Sequence, residues 1–437
     1  MSGFSATMGL GLDTGDAATL VARGTESWSR AEVRAQSDAL VEIFKNSDVT
    51  QAMVCSDHPL DIIRAIDASA RAGVDLYIAH TTIPAEQIAD IVATYGITYR
   101  IGENDEHLAK TRPAASASGR IHLMTSGTSG TPKIAAHTLD SLVSRARATA
   151  DHPANRAARW LLTYQPTGFA GIQVILTATI TKGMVVAPVE RTPRGFYDAA
   201  LHWNVTQISG TPTFWRSFLM AGKMAPLSLR QITMGGEAAD QATLDRVKAA
   251  FPSARITHTY ASTEAGVVFA VHDGLEGFPS SYLGQTAHGI QLRIRDGYLE
   301  IRTPNRMQAY VSENAQPLQH DGWLSTTDQC EIVGDRVFIL GRADKTINVG
   351  GYKVYPLAIE KLILSQPGVA EARVYGVSNP ISGALVAADV VLSAGEDPAA
   401  ARPRILAACR AQLASFQVPR VLKIVDSIAT GASGKKA

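Results

Sequence analysis

Cysteine is scarce. The chain has three in 437 residues, Cys55, Cys330 and Cys409, far apart and with none in a CxxC pair. An odd, scattered set excludes a disulfide scaffold and a structural zinc site. Each thiol reads as a small core hydrophobe in a reducing cytoplasm. Excess charge is missing as well. Lys plus Arg is 41 and Asp plus Glu is 40, a net charge of +1, which leaves no electrostatic footprint for nucleic acid or an anionic membrane. Long apolar runs are also lacking. The most apolar stretch, from Phe169 to Ile180, is broken by Gly171, Gln173 and threonines, well short of the ~18–20 residues a membrane span needs. The opening MSGFSATMGLGLDTGDAAT has no basic lead and no apolar core of the signal-peptide kind. Its GLGLDTG, residues 9–15, has the wrong spacing for a dinucleotide fingerprint and reads as a mobile terminus. A GxSxG elbow and an HExxH pair are absent, which removes serine-hydrolase and zincin chemistry. A soluble, cytoplasmic protein is expected, with no membrane and no nucleic-acid partner.

What is present is a globular composition, 46% apolar, long enough for about three domains or subdomains. From Thr19 to about Ile101 short apolar runs (TLVAR, QAMVCS, VDLYIAH, ITYRIG) alternate with segments of helical period such as AEVRAQSDALVEIFKNS and HPLDIIRAIDASARAG. The same rhythm returns from MVVAPV to ARITHTY. Strand–helix alternation of this kind predicts parallel sheets covered on both faces. After Tyr260 the texture becomes antiparallel: QLRIRDGYLEIR turns at DG and CEIVGDRVFIL at GD. Past Gly341 a smaller unit of helices and strands follows. The expected architecture is α/β: a large N-terminal domain of doubly wound sheets with a β-rich subdomain, residues 1–343, and a small, mobile α+β domain, residues 344–437.

The most informative segment is MTSGTSGTPK, residues 124–133. Gly127 and Gly130 let the backbone turn its N–H groups one way, while Thr125, Ser126, Thr128 and Ser129 add hydroxyls and Lys133 adds charge. This chemistry suits polyphosphate oxygens. The spacing is not Walker-type, because Pro132 stands where the second glycine would fall and Ile134 follows the lysine.

Four further segments occur in order: YASTEAG at 260–266, DGWLSTTD at 321–328, GRADKTINVGGYKVYPLAIE at 341–360 and ATGASGKK at 429–436. With the loop they resemble the adenylate-forming superfamily of acyl- and aryl-CoA ligases, peptide-synthetase adenylation domains and luciferases, from about Ala17 to the last residue. The resemblance implies ATP, Mg²⁺ and CoA, or a carrier-protein phosphopantetheine, acting on a small carboxylic acid. It also implies roles. Residues Thr125, Ser126, Gly127, Thr128, Ser129, Gly130 and Lys133 would hold the β- and γ-phosphates. Around the nucleotide stand Tyr260, Ala261 and Ser262, with Thr263 at the α-phosphate and Glu264 on Mg²⁺, a ligand type a hard cation prefers. Gly235, Gly236 and Glu237 would run along the adenine and acyl groups, and Asp328 and Arg342 would grip the ribose. Asp344 matches the hinge and Lys435 the lysine that completes adenylation. The loop Gly350, Gly351, Tyr352, Lys353 would line the thiol channel after the small domain swings. Departures lie beside the chemistry: Ala261 and Thr327 replace usual glycines, and Ala429 and Gly431 replace a usual Pro and Thr.

The expected acyl wall is Phe169, Gly210, Thr211 and Phe214, together with Gly235 and Ala261. Ala170 follows Phe169 where amino-acid-activating relatives carry Asp, which disfavours an α-amino acid. Aromatic and small residues favour a compact apolar or aryl acid. His258, where the family often has Asn, reads as a hydrogen-bonded core histidine. Two other outcomes stay open: transfer of the acyl group to a carrier protein, an amine or another nucleophile, and a non-catalytic nucleotide-binding relative.

Overall fold

The computed structural model describes residues 9–109, 117–125, 133–152, 155, 157–221, 227–285, 289–311, 321–380 and 382–429. Among these, four sheets carry the architecture. The first has eight strands, in the order Gly266–Val271, Arg255–Ser262, Gln231–Gly235, Gln207–Gly210, Arg159–Leu162, Met184–Ala187, Thr19–Arg23 and Glu26–Ser29. Its six central strands run parallel, and each edge strand is antiparallel. The second runs Ala309–Tyr310, Lys133–His137, Ile121–Thr125, Asp75–Ile78, Gln51–Val54, Tyr99–Ile101 and Glu106–His107.

The strands Gln51–Val54 and Asp75–Ile78 are buried throughout, as parallel strands covered on both faces require. Helix Pro59–Ala72 starts at a His58 side-chain cap with proline in its first turn, and stops at Gly73, left-handed at φ 72°. Twelve of its fourteen residues are buried, so it cannot be a surface helix with one apolar stripe. It packs with helix Phe169–Ile180 in a single core cluster that contains Val21 and Val185 of the first sheet and Ala52 and Ile78 of the second. The two helices are therefore the filling between two sheets. The expectation of a mobile terminus fails from residue 9 onward. Leu10 and Leu12 are buried in the same cluster, and the Leu10 N–H donates to Asp67 Oδ1 at 2.7 Å. Asp67 is fully buried and recruits donors wherever it finds them, including the Ser37 hydroxyl at 2.6 Å and the Arg71 guanidinium at 3.1 Å.

The third sheet is antiparallel and six-stranded: Phe278–Pro279, Arg336–Arg342, Leu324–Val333, Tyr298–Arg302, Gln291–Arg295 and Gly284–Gln285. Its DG turn has both central residues left-handed, Asp296 at φ 52° and Gly297 at φ 80°, between the paired Arg295 and Tyr298. That is the two-residue hairpin geometry the sequence pattern predicts. The small C-terminal domain is built on the fourth sheet, Tyr352–Val354, Ile347–Val349, Gly383–Leu392 and Val369–Asn379, with Val421–Ile424 beside Gly383–Leu392. Helices Pro356–Leu364 and Pro398–Gln412 share its own core. Among the described residues no helix is long and apolar enough to cross a membrane.

Candidate active site

A cleft of ≈ 1730 Å³ lies between the large domain and the fourth sheet. Its floor is the hairpin of strands Arg255–Ser262 and Gly266–Val271, which carries Thr263 and Glu264 at the tip. The tip is closed by the Ala265 N–H on the Ser262 hydroxyl at 3.0 Å and by the Met307 N–H on the Glu264 carbonyl at 2.9 Å. A register shift between Tyr260 and Ala261 turns the Tyr260 ring onto Phe269, stacked at 5.4 Å. The Tyr260 hydroxyl donates to Asp328 Oδ2. Burial, then the Asp328 charge, push that phenol well above its usual pKa, so it stays a donor. Asp328 pairs across the strands with Arg342, and its N–H bonds the Thr326 hydroxyl at 3.1 Å. Between them Thr327 is left-handed at φ 61°, in the place where the resemblance expects glycine. Behind Asp328, burial raises the Cys330 thiol to about 12, which leaves it inert.

A second polar knot ties the two sheets together. The two-residue edge strand Ala309–Tyr310 pairs with Lys133–His137, Tyr310 opposite Ala135. From there the Tyr310 hydroxyl donates to Glu264 Oε1, and the Lys133 ammonium lies 5.7 Å over the Tyr310 ring. His137, on the same strand as Lys133, is fully buried beside Thr263 and Glu264, and burial pushes its pKa down to about 4. Among the described residues no three His, Cys, Asp or Glu side chains form a metal-binding group. Glu264 and Asp328 face the cleft as separate carboxylates. Of the two, Glu264 beside Thr263 fits Mg²⁺, which is held by one or two carboxylates plus substrate phosphates.

Gly235 ends the central strand Gln231–Gly235, and Gly236 and Glu237 follow it and border the cleft. The buried Tyr164 hydroxyl donates to the Gly235 carbonyl at 3.2 Å. A Cβ on Gly235 would stand 2.8 Å from the Thr259 hydroxyl oxygen, so enlarging this residue disturbs packing before it narrows any pocket. Glu237 Oε2 accepts both the N–H and the hydroxyl of Thr213, at 3.1 and 2.7 Å. Arg216, itself paired with Asp240 at 3.1 Å, donates to the Thr213 hydroxyl. Glu237 is thus bound to the helix Pro212–Met220.

Of the six residues expected along the acyl wall, Ala261 borders this cleft and Phe169, Gly210, Thr211, Phe214 and Gly235 do not. Thr211 caps helix Pro212–Met220 through the Phe214 N–H at 2.9 Å, and Phe214 packs against Phe196 and Phe218. Gly210 lies directly under the Phe214 ring. Phe169 opens helix Phe169–Ile180, 6.2 Å from the His137 ring. His258 does border the cleft, with Nε2 2.9 Å from the Leu275 carbonyl. Ser126, Gly127, Thr128, Ser129, Gly130 and Lys435 lie outside the described residues; Thr125 ends its strand and Lys133 begins the next.

The opposite wall belongs to the small domain. Arg342 and Asp344, at the junction, pair at 3.1 Å. Beyond them the Gly350–Gly351 turn borders the cleft, left-handed at φ 58° and 89°, with Asn348 Oδ1 accepting the Gly351 N–H at 3.0 Å. A close backbone approach at positive φ is what glycine allows. Tyr352 and Lys353 do not border it; Tyr352 is 60% exposed and stacks on Phe416 at 4.6 Å. The rim is closed by Lys361 on Glu276 at 3.2 Å and by Arg246 on the Val369 carbonyl at 2.8 Å. Sequence reasoning missed Tyr310, Tyr164, Thr213 and Arg216, since none sits in a motif and Tyr310 lies on too short a strand to show a period.

Comparison with known proteins agrees with this layout. Residues 120–310 match the family described as AMP-binding enzyme, and residues 358–435 match the AMP-binding enzyme C-terminal domain. The chain belongs to these adenylate-forming enzymes. It is 32% identical over 241 residues to a substituted propanoyl:CoA ligase of Rhodococcus jostii, covering 53% of this chain and 46% of that one. It is 26% identical over 331 residues to the 2-succinylbenzoate–CoA ligase of Bacillus velezensis, 72% of this chain and 66% of that one. The chain therefore spans less than two thirds of the length of these two relatives. Among solved structures, the anthranilate CoA ligase AuaEII with anthranoyl-AMP superimposes with a TM-score of 0.82 at 17% identity, covering 99% of this chain and 96% of that one. The o-succinylbenzoate CoA synthetase of Bacillus subtilis gives 0.74 at 21%, covering 96% and 94%. These two show the fold.

Proposed function

We propose that the chain activates a small apolar or aromatic carboxylic acid with ATP and passes the acyl group to the thiol of CoA. One observation carries this reading: Thr263 and Glu264, the Tyr260–Asp328 pair with Arg342, and the Gly350–Gly351 turn all face one cleft. The CoA-ligase names of the relatives support the acceptor. In the first half-reaction an oxygen of the acid attacks the α-phosphate in line and pyrophosphate leaves. Two anions must meet, so the site has to lower their repulsion. Lys133 and Lys435 supply positive charge, and Thr263 hydrogen-bonds the α-phosphate. Asp328 and Arg342 hold the ribose, with the Tyr260 hydroxyl fixing the carboxylate. Bound at Glu264 with the nucleotide phosphates, Mg²⁺ would offset the charge that develops in the transition state. In the second half-reaction the thiol attacks the acyl carbonyl and AMP leaves, with the Gly350–Gly351 turn beside its path. We place the domain boundary at 343/344, with Asp344 as the hinge about which Lys435 and the glycine turn exchange. The test is pyrophosphate release over a panel of aryl and short apolar acids, with and without CoA. Acid-dependent release and CoA-dependent thioester are expected. Release without thioester would move the acceptor to a carrier protein or amine, and no release with any acid would leave a nucleotide-binding relative.

A further inference from the structure

We propose that Tyr310 is a positioning residue for the adenylation half-reaction: its hydroxyl fixes the Glu264 carboxylate through Oε1, so that the carboxylate would be presented to a metal ion in one orientation. The inference rests on the reading of Glu264 given above and extends it to a residue that none of the five motifs contains. Three observations carry it.

The first is that two hydrogen bonds reach Glu264 from one short segment. The Met307 N–H holds its carbonyl and the Tyr310 hydroxyl holds its carboxylate. The second is that this segment is itself fixed to the strand that begins at Lys133. The Gln308 N–H bonds the Ala136 carbonyl at 2.8 Å, and the Val311 N–H bonds the Ile134 carbonyl at 2.9 Å. Tyr310 therefore couples the end of the phosphate loop, on the second sheet, to the carboxylate on the first. The third is what the side chain is not used for. Its neighbour Val311 packs against the cluster of Met53, Tyr77 and Ile134, whereas Tyr310 joins no apolar cluster among the described residues. Its ring lies under Lys133 and its hydroxyl is on Glu264.

The chemistry suits the task. A phenol donating to a carboxylate makes a charge-assisted hydrogen bond that sets the orientation of the carboxylate plane. A lysine or arginine at the same place would neutralise the charge a cation needs, and a phenol does not. Partners that orient a metal-binding carboxylate change metal affinity or activity by ~10- to 100-fold when removed.

The experiment uses the full chain and Mn²⁺ as the probe, followed by water-proton relaxation in the presence of ATP. Tyr310→Phe keeps the ring and removes only the hydroxyl. It should weaken Mn²⁺ binding to the nucleotide complex by about tenfold. It should also raise the Mg²⁺ concentration for half-maximal pyrophosphate release by a similar factor, with much of kcat restored at saturating Mg²⁺. A general loss of structure would lower kcat and the melting temperature without moving the metal titration. The double variant E264Q/Y310F should bind Mn²⁺ no more weakly than E264Q alone, since the hydroxyl acts through that carboxylate. If Tyr310→Phe titrates like the parent while Glu264→Gln is weakened, the positioning role is overturned and the proposed function stands. If neither variant differs from the parent, the assignment of Glu264 falls, and the role of Tyr310 falls with it.

Discussion

The two walls of the cleft are built on different principles. On the large-domain side the polar groups are paired in advance. Tyr260 is on Asp328, Tyr310 on Glu264 and Thr213 on Glu237, each anchored to a sheet or helix. On the small-domain side the wall includes a glycine turn with open space where side chains would be, beside residues such as Glu360 and Tyr375, and its ties to the large domain are rim contacts such as Lys361–Glu276. Paired, buried groups hold charge in place at low reorganisation cost, which suits the step in which two anions must meet. A wall held by a few partly exposed polar contacts can depart and return, because a solvent-screened ion pair contributes only ~0–1 kcal/mol. A fixed wall and a removable one can serve two half-reactions at one site.

The largest effect should come from the fixed wall. Glu264→Gln keeps volume and removes the charge, and pyrophosphate release should fall by ~10² or more. Supplied with synthetic acyl-AMP and CoA, the same variant should form thioester close to the parent rate. Equal damage to both measurements would mean that the wall does not divide the half-reactions. The mirror experiment is Gly351→Val. Nothing stands within 4 Å of a Cβ there, so the effect is backbone strain at φ 89° and not a clash. Thioester formation from acyl-AMP should drop by about tenfold while pyrophosphate release is kept. Loss of pyrophosphate release alone would assign the turn to the wrong step.

The same division explains what could be read from the sequence. The glycine turn of the small-domain wall was legible because GG in VGGYK is a local signal whose backbone meaning needs no partner. The large sheets were legible in part: runs such as VDLYIAH and QAMVCS announce strands, and DG at 296–297 announces its own turn. Pairing was not legible. That Val21 lies beside Val185, or that Leu10 is pinned to Asp67, is decided by burial across distant segments. Within the site, Glu264 and Asp328 stood out in their motifs, but the tyrosines that hold them did not. A hydroxyl that matters through one hydrogen bond to a residue 46 positions away leaves no spacing to detect. Glu237, Thr211 and Phe214 were each read as site residues; Glu237 borders the cleft and also accepts from the helix that Thr211 caps, a tie that no motif announces.

A smaller effect is expected at the rim. Lys361 and Glu276 are 22% and 28% exposed, so solvent screens their attraction. Lys361→Ala should shift the balance of domain orientations by no more than ~1 kcal/mol. Distances between labels on the two domains, read by single-molecule fluorescence, should show the present arrangement less populated. Thioester formation should slow by up to about fivefold, and less at high salt. An unchanged distance distribution would mean that this pair does not help to hold the small domain.

The smallest effect on activity tests whether the fixed wall carries strain. Thr327 is β-branched and left-handed at φ 61°, between Thr326 and Asp328. Such a conformation costs ~1–3 kcal/mol in a residue of this type. Replacing it with glycine removes that cost but gives the unfolded chain more freedom, roughly 0.5–1 kcal/mol in the other direction. Thr327→Gly should therefore raise stability by up to ~2 kcal/mol, visible as an upward shift in the melting temperature. Thr327→Val, equally branched, should not. If the threonine also restrains the loop that presents Asp328 to the ribose, the glycine variant should show a KM for ATP raised about two- to threefold with kcat little changed, because only ground-state positioning is loosened. A lower melting temperature in the glycine variant would mean that Thr327 is not strained. The wall would then be rigid through the Tyr260–Asp328 hydrogen bond and packing alone.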